Sequence, residues 1–373
     1  MRYNLSDICD YVKGKVDVSV LDESTYISTE NMMSNKGGIC KASSLPVVQQ
    51  TQSFCVGDVL VSNIRPYFKK IWFAEFDGGC SNDVLVLRAK NGVNSRFLYY
   101  TLANDAFFEY SMATSKGTKM PRGDKGAIMK YEVPYFEYEE QEKIVGILEA
   151  LDLKIQLNIK INDNLLQQAE SIFTHYYDAS TEQAAFTALI NVLGGGTPKT
   201  GISDFWNGSI PFFTPKDIGT PYTFRTEKYI TESGLTHCNS RLYPKNTSFV
   251  TARGTVGKVS LAGKPMAMNQ SCYALASDSI NPLMVYFYAL KAVASLKHKA
   301  SGAVFDAIVT RDFNTEIVNI LNEEDSKVVL LIISPIMEAI HSNAEENIRL
   351  SNLRDALLPM LMSGEINVSS IAF

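Results

Sequence analysis

Val59-Leu60-Val61-Ser62-Asn63-Ile64-Arg65 lies 188 residues ahead of Thr247-Ser248-Phe249-Val250-Thr251-Ala252-Arg253. The same shift, without a gap, lays Ser81-Asn82-Asp83 on Asn269-Gln270-Ser271 and the run FLYYTL (97–102) on VYFYAL (285–290). Further on the offset becomes 185, placing Gly117 on Gly302, Val133 on Val318, Ile144 on Val329, Asn158 on Asn343, Asn162 on Asn347 and Leu165 on Leu350. The chain is therefore two tandem copies of one unit of about 185 residues, too long for a solenoid repeat and the size of a domain plus a connector. A chain of this kind does one thing twice, to two related targets. Arg65 and Arg253, each following a strand-like run, are expected to be equivalent.

Each copy ends in a long periodic segment. In the first, Ile144, Leu148, Leu151, Ile155, Asn158, Asn162, Leu165, Ala169, Ile172 and Tyr176 recur at spacings of four and three, the a/d seam of a coiled coil. The second repeats it as Val329, Ile333, Ile336, Ile340, Asn343, Asn347, Leu350, Arg354, Leu357 and Leu361, with Pro335 predicting a kink or a delayed helix start. Each reads as a helix of about 35 residues, on the order of 50 Å long. Asparagines in an apolar seam cost stability and specify register. Antiparallel packing about a pseudo-twofold axis pairs Asn158 with Asn347 and Asn162 with Asn343, whereas parallel packing pairs Asn158 with Asn343. The antiparallel direction is the one expected, because it sets the two modules at opposite ends of a rod.

Charge divides along the same lines. The chain totals −5, but residues 137–178 carry −6 and residues 322–365 carry −5, which leaves +6 on everything else. Basic modules and acidic connectors fit two nucleic-acid-facing domains held by a scaffold that faces other proteins. The N-terminus MRYNLSDICDY is charged where a signal peptide needs an apolar run, and the longest apolar stretch, Val328–Ile333, is far short of the roughly 20 residues of a membrane span. A soluble, cytoplasmic chain with no membrane partner is expected. Six cysteines without two-residue spacing read as reduced packing residues, and four scattered histidines offer no metal-ligand spacing.

Ahead of each helix the module reads as α+β. Short apolar alternations such as Asp58–Ser62 and Asp83–Leu87 suggest strands, and Phe97–Tyr110 suggests a helix. Between that helix and the long one lies the basic, glycine-containing loop Ser115–Gly126, with a basic counterpart at Lys297–Ala303. Such loops suit phosphates and base edges, although an ordinary solvated loop has the same composition. Gly194–Thr200 is no phosphate loop: it lacks the Gly-Lys-Ser/Thr ending, and Pro198 removes a backbone donor. An adenine methyltransferase motif is also missing, the nearest match being Asn281-Pro282-Leu283. No catalytic residue, metal or cofactor is expected.

Gly194-Gly195-Gly196-Thr197-Pro198-Lys199-Thr200, followed by Phe205–Ile218, resembles the opening of a target recognition domain in the specificity subunits of type I restriction–modification enzymes. Tyr26–Met32 resembles a variant of that opening, without its Gly-Gly-Thr-Pro. The stretch Val133-Pro134 through Glu139–Val145 resembles the entry to the family's helical spacer. The second copy has Asn319 and Ser326 where the first has Pro134 and Gln141. The resemblance covers essentially the whole chain.

The resemblance implies an α+β chain of two tandem pseudo-symmetric target recognition domains separated by two long helices packed as an antiparallel coiled coil. Its parts would be recognition domain 1 (1–136), a central helix (137–178), recognition domain 2 (179–322), a C-terminal helix (323–364) and a tail (365–373). It implies a non-catalytic reader of double-stranded DNA, each domain binding one half of a bipartite asymmetric site. The helices would set the gap and hold two DNA methyltransferase (modification) subunits, through which restriction subunits join. The candidate DNA-binding residues are Arg65, Lys69, Lys70, Lys116, Lys119, Arg122 and Lys125 in the first module and Lys199, Lys216, Arg253, Lys258, Lys299 and Arg311 in the second. Most would meet phosphates, which take half or more of protein–DNA hydrogen bonds. The alternative is a tandem-domain scaffold that binds other ligands and has no DNA specificity.

Overall fold

A computed structural model describes residues 2–299 and 307–368. It divides into two compact units, Met1–Lys154 with Arg349–Phe373, and Ile155–Ile348. Each unit takes part of both long helices.

In the first unit the strands Val59–Ser62 and Val84–Ala89 lie at the middle of an antiparallel sheet, flanked by Ile71–Phe73 and Cys9–Tyr11. Side chains alternate between the faces of a strand. Val59, Val61, Leu85 and Leu87 pack with Leu98, Leu102, Phe107 and Phe108 of the helices Ser95–Ala103 and Asp105–Ala113. Leu60, Val84 and Val86 point the other way, onto Ile27, Phe54 and Cys80 of a second sheet. Burial on both faces explains why these runs are apolar at nearly every position, since each buried Val or Leu is worth about 1.5–3 kcal/mol.

The second unit is built alike. Val250, Leu261 and Leu275 of its central sheet pack beneath the helix Pro282–Lys299, and Phe249, Ala262 and Ala274 pack on Phe213 and Met268 of a second sheet. Glu132–Pro134 pairs with Arg2–Asn4 in one unit and Ile317–Asn319 with Gln183–Ala185 in the other, so Pro134 and Asn319 hold matching positions at the two helix entries.

The paired sheets correct the alignment by one residue. Val61, which faces the helices, stands opposite Leu85, whereas the residue that faces the helix in the second unit is Val250, opposite Tyr273. Val61 thus matches Val250 at an offset of 189, while Leu85 and Tyr273 keep 188. Backbone bonds agree: Asn63 N–H donates to Asp83 O as Ala252 N–H does to Ser271 O, and Asn63 O accepts from Gly123 as Ala252 O does from Ile308. A slip of one residue would turn the whole strand to its other face, so burial outweighs the apparent sequence match. Arg65 therefore matches Gly254, both at positive φ (49° and 79°), and Arg253 matches Ile64. The expected equivalence of Arg65 and Arg253 fails.

The first long helix spans Tyr138–Ala179 and the second Glu323–Ser363, 42 and 41 residues. The second starts twelve residues before Pro335, so the proline does not delay it. Asn322 accepts the Asp325 N–H at 2.8 Å, and three acidic residues in the first turn complement the helix dipole. The carbonyl that loses its partner to Pro335 belongs to Leu331, whose side chain is exposed, so water can satisfy it. This helix would suit a membrane span by length and composition, with mean hydropathy 1.3 over 18 residues. One side of it is occupied, with Val329, Ile333, Met337 and Ile340 buried in the core of the second unit, while Val328, Leu331 and Ile332 stay exposed.

Within the second unit the helices run antiparallel, the direction expected. Asn158, 1% exposed, donates to Asn347 Oδ1 at 2.8 Å and to Glu346 Oε2 at 2.7 Å, and Asn343 donates to Asn162 Oδ1 at 2.8 Å. Asn162 and Asn347 donate in turn to the carbonyls of Ile340 and Ile155. In the first unit the seam position Arg354 is polar because Asp152 faces it at 2.7 Å, and Tyr100 Oη donates to the other oxygen of the same carboxylate at 2.8 Å. Burial and that carboxylate push the Tyr100 phenol well above its usual range.

Paired cysteines test the direction. With the exposed Cys40 and Cys55 changed to serine, Asn158→Cys with Asn347→Cys should crosslink on mild oxidation and shift on a non-reducing gel. Asn158→Cys with Asn343→Cys should not; the reverse result would refute the antiparallel seam.

Candidate nucleic-acid interface

In the first unit two loops come together beyond the strand Val59–Ser62. Arg65 N–H donates to Pro121 O at 2.8 Å and Gly123 N–H to Asn63 O at 3.1 Å, so residues 63–70 and 115–126 form one surface. Lys116 and Arg122 exchange two backbone hydrogen bonds of 2.9 Å, which closes the second loop into a narrow hairpin. Gly123 is needed at its base, because a Cβ there would stand 2.8 Å from Asn63 Oδ1 and 2.9 Å from Ile128 Cδ1. Arg65, Lys69, Lys70, Lys116, Lys119, Arg122 and Lys125 all lie on these loops.

Carboxylates hold three of these seven cations. Arg122 meets Asp83 at 3.0 Å, Lys116 meets Asp124, and Lys36 and Lys69 share Asp105 at 2.8 Å each. Lys70 donates to Thr29 O at 2.6 Å, and Lys125 lies 5.9 Å from the centre of the Tyr11 ring. The Lys116 ammonium holds the Asp124 carboxyl down at about 2, and Asp124 raises Lys116 in turn. Partial burial pushes Asp105 up, but Lys36 and Lys69 outweigh it and leave it below its usual range. Exposed pairs of this kind contribute little to stability. They aim the side chains without committing them, and a phosphate can displace the carboxylate.

The second unit joins the corresponding loops through Ile308 N–H to Ala252 O at 2.9 Å and Thr255 Oγ1 to Pro215 O at 3.2 Å. This brings Arg253, Lys258 and Lys216 towards the start of the helix Thr310–Asn314, which carries Arg311. Among the described residues no carboxylate lies within ion-pair distance of Lys199, Arg253, Lys258 or Arg311. Lys216 has only a loose partner, Glu227, at 3.8 Å. Lys299 is spent differently: its ammonium lies 2.6 Å from Glu316, a carboxylate 1% exposed, so it neutralises a buried charge. Lys297–Lys299 form the last turn of a helix rather than a loop, and the rest of that expected loop, 300–306, lies outside the described residues.

Several participants escaped the sequence reading. Asp83, Asp105 and Asp124 are acidic and so did not stand out in a search for basic residues. Lys36 pairs with Asp105 from a turn whose signal, Asn35-Lys36-Gly37-Gly38, was legible. Lys297 crosses Gly257, where a Cβ would meet its Cε at 2.4 Å; burial and then the Lys258 charge lower its affinity for a proton, the mark of two cations sharing one spot. Lys199 stands apart on the glycine-rich opening. A Cβ on Gly195 would lie 2.2 Å from Asn269 O and 2.7 Å from Met268 O, and one on Gly196 would lie 2.6 Å from the Asn239 nitrogen. These glycines let the chain pass against a strand end, and Thr197 then hydrogen-bonds Gln270. No metal-binding cluster of His, Cys, Asp and Glu occurs among the described residues.

The chain matches a family model described as the type I restriction modification DNA specificity domain twice, over residues 1–167 and 187–351. It is 23% identical, over 98% of its own length and 99% of the relative's, to the type I restriction enzyme HindI specificity subunit of Haemophilus influenzae. Against the MjaIX specificity subunit of Methanocaldococcus jannaschii it is 27% identical over 42% of this chain and 38% of that one. The S subunit of a type I restriction–modification system from M. genitalium shares the fold at a TM-score of 0.56 and 15% identity, covering 97% of this chain and 96% of that one.

The glycine-rich opening lies inside the second matched segment. Gly195→Ala forces a methyl group against two carbonyls and should lower the stability of the protein by about 1–3 kcal/mol. Thermal or urea unfolding reads this out; an unchanged midpoint would show that the close approach is not required.

Proposed function

The chain belongs to the family of type I restriction–modification DNA specificity domains, and from that premise we propose that each unit reads one half of a bipartite, asymmetric DNA site. A specificity subunit with two tandem recognition domains is a non-catalytic DNA-recognition chain. The observation that carries the finer reading is the duplicated loop surface. Both units bring cation-bearing loops together beyond the same central strand by equivalent backbone hydrogen bonds. The loops differ in sequence and in ion pairing, so two different half-sites are the natural reading. Lys and Arg on such loops supply phosphate contacts and, for arginine, bidentate recognition of guanine.

The division into recognition domains at 1–136 and 179–322 with long helices between and after them is part of this proposal. Methyltransferase subunits would dock on those helices, and restriction subunits would join through them. Support comes from large apolar side chains left exposed there: Leu157 and Ile159 on the first helix and Leu331 and Ile332 on the second. Helices that served only as internal supports would not carry them.

The direct test is co-expression of the chain with its methyltransferase subunit in a methylation-free host, followed by mapping of methylated adenines. A new two-part motif with a fixed gap, lost when the chain is omitted, is the expected result. No new methylation from a demonstrated, soluble complex would overturn the proposal. Within that complex, Arg122→Ala should weaken specific binding and reduce the slope of log affinity against log salt by about one. Unchanged affinity at every salt concentration would remove Arg122 from the interface.

A further inference from the structure

The loop after the strand Val59–Ser62 is one residue longer than its counterpart: Ser62 N–H reaches Lys70 O, whereas Thr251 N–H reaches Lys258 O. The longer loop carries Tyr67 and Phe68, 48% and 38% exposed, with ring centres 4.6 Å apart. They sit on a tight turn, Pro66–Phe68, between two non-glycine residues in the left-handed region, Arg65 at φ 49° and Lys69 at φ 50°. Each such residue costs roughly 1–2 kcal/mol. The second unit avoids that cost, with glycines at both positive-φ positions of its loop, Gly254 and Gly257, and it has no aromatic residue there.

The turn is held firmly all the same. Pro66 is buried, Phe68 N–H and Lys69 N–H bond back to Arg65 O and Pro66 O, and Phe68 O and Lys69 O accept the Asn35 and Lys36 N–H groups at 2.8 Å. The turn anchors through Pro66, yet strained backbone on both sides of it keeps Tyr67 about half and Phe68 over a third exposed, and strain held at an exposed aromatic pair points to function. Cations share the turn. Lys70 Nζ lies 5.7 Å from the centre of Phe68, Lys36 and Lys69 join the turn while paired with Asp105, and Arg65 Nε is buried without a hydrogen-bond partner. A flat apolar face with anions at its edge is what this arrangement fits, and a base step in DNA has that form.

We propose that Tyr67 and Phe68 form an aromatic wedge that unstacks one base step at the half-site bound by the first unit. The proposal rests on the DNA-reading function above. It makes recognition by the first unit depend on how easily its DNA deforms, in addition to its base edges. The second unit, lacking the rings, reads without this device.

The test uses the full chain in complex with its modification subunits and duplexes carrying the two-part site found by methylation mapping. 2-Aminopurine replaces one base at a time within and beside the first unit's half, away from the methylated adenine, which methyltransferases extrude themselves. One position should brighten several-fold on binding. Tyr67→Ala with Phe68→Ala should abolish that rise and weaken binding to the intact duplex roughly tenfold to a hundredfold. An abasic site at the same step should restore most of the binding. If the wild-type complex binds its site and no position brightens, or the double variant keeps the rise, the wedge is wrong and the DNA-reading proposal stands. If the wild-type complex shows no salt-dependent, site-specific binding, both are wrong.

Discussion

Everything along the two long helices depends on satisfying the amides of Asn158, Asn162, Asn343 and Asn347. A buried amide without a partner costs about 1–3 kcal/mol, and Asn158 is nearly inaccessible. Antiparallel packing in one register gives each amide a partner: Asn347 for Asn158, Asn162 for Asn343, and main-chain carbonyls for the donors of Asn162 and Asn347. A shift by one heptad would separate the amide pairs and set most of them against apolar side chains. The seam therefore gives up some apolar contact for a unique alignment, and the alignment fixes which turns of helix each domain's core can use.

How much of this was legible follows from what repeats. The duplication and the long helices were readable because apolar periodicity survives in one sequence, whereas the paired asparagines fit either direction and antiparallel was expected only because it sets the modules at opposite ends of a rod. The register of the strand at Val61 was not readable, since the best one-letter match joined Arg65 to Arg253. Burial joins Val61 to Val250 instead, and a gap of one residue leaves no trace that a single sequence can show. Of the two outcomes Pro335 left open, the delayed start is excluded; the sequence could not tell for a related reason: proline's cost inside a helix depends on which side of the helix faces water, and the pattern of letters does not say. At the site, basic loops were visible from composition, but the acidic residues that hold them, Asp83, Asp105 and Asp124, were visible only once the loops were folded together.

The two loop surfaces use charge differently. In the first unit Arg122, Lys116 and Lys69 are already paired with carboxylates, so on the proposed reading binding a phosphate would exchange one partner for another and reduce the net electrostatic gain. What this surface retains is orientation, because a guanidinium held by Asp83 loses less side-chain freedom when it meets a base. In the second unit Arg253, Lys258 and Arg311 have no such partners among the described residues, and Lys258 shares its surroundings with Lys297. On the proposed reading, the first surface would favour selectivity and the second attraction.

The first unit is discontinuous along the chain, and this bears on how the protein is made. Phe97, Tyr100, Ile144 and Leu148 share a core with Leu358, Leu361 and Met362, and Asp152 waits for Arg354. A ribosome delivers those last residues only after the whole of the second unit has emerged. The second unit, Ile155–Ile348, is continuous in sequence and can close first. Of the two units, the one begun first is thus completed second, and its apolar patch stays uncovered while the other is made, a period in which nascent chains are exposed to misassembly.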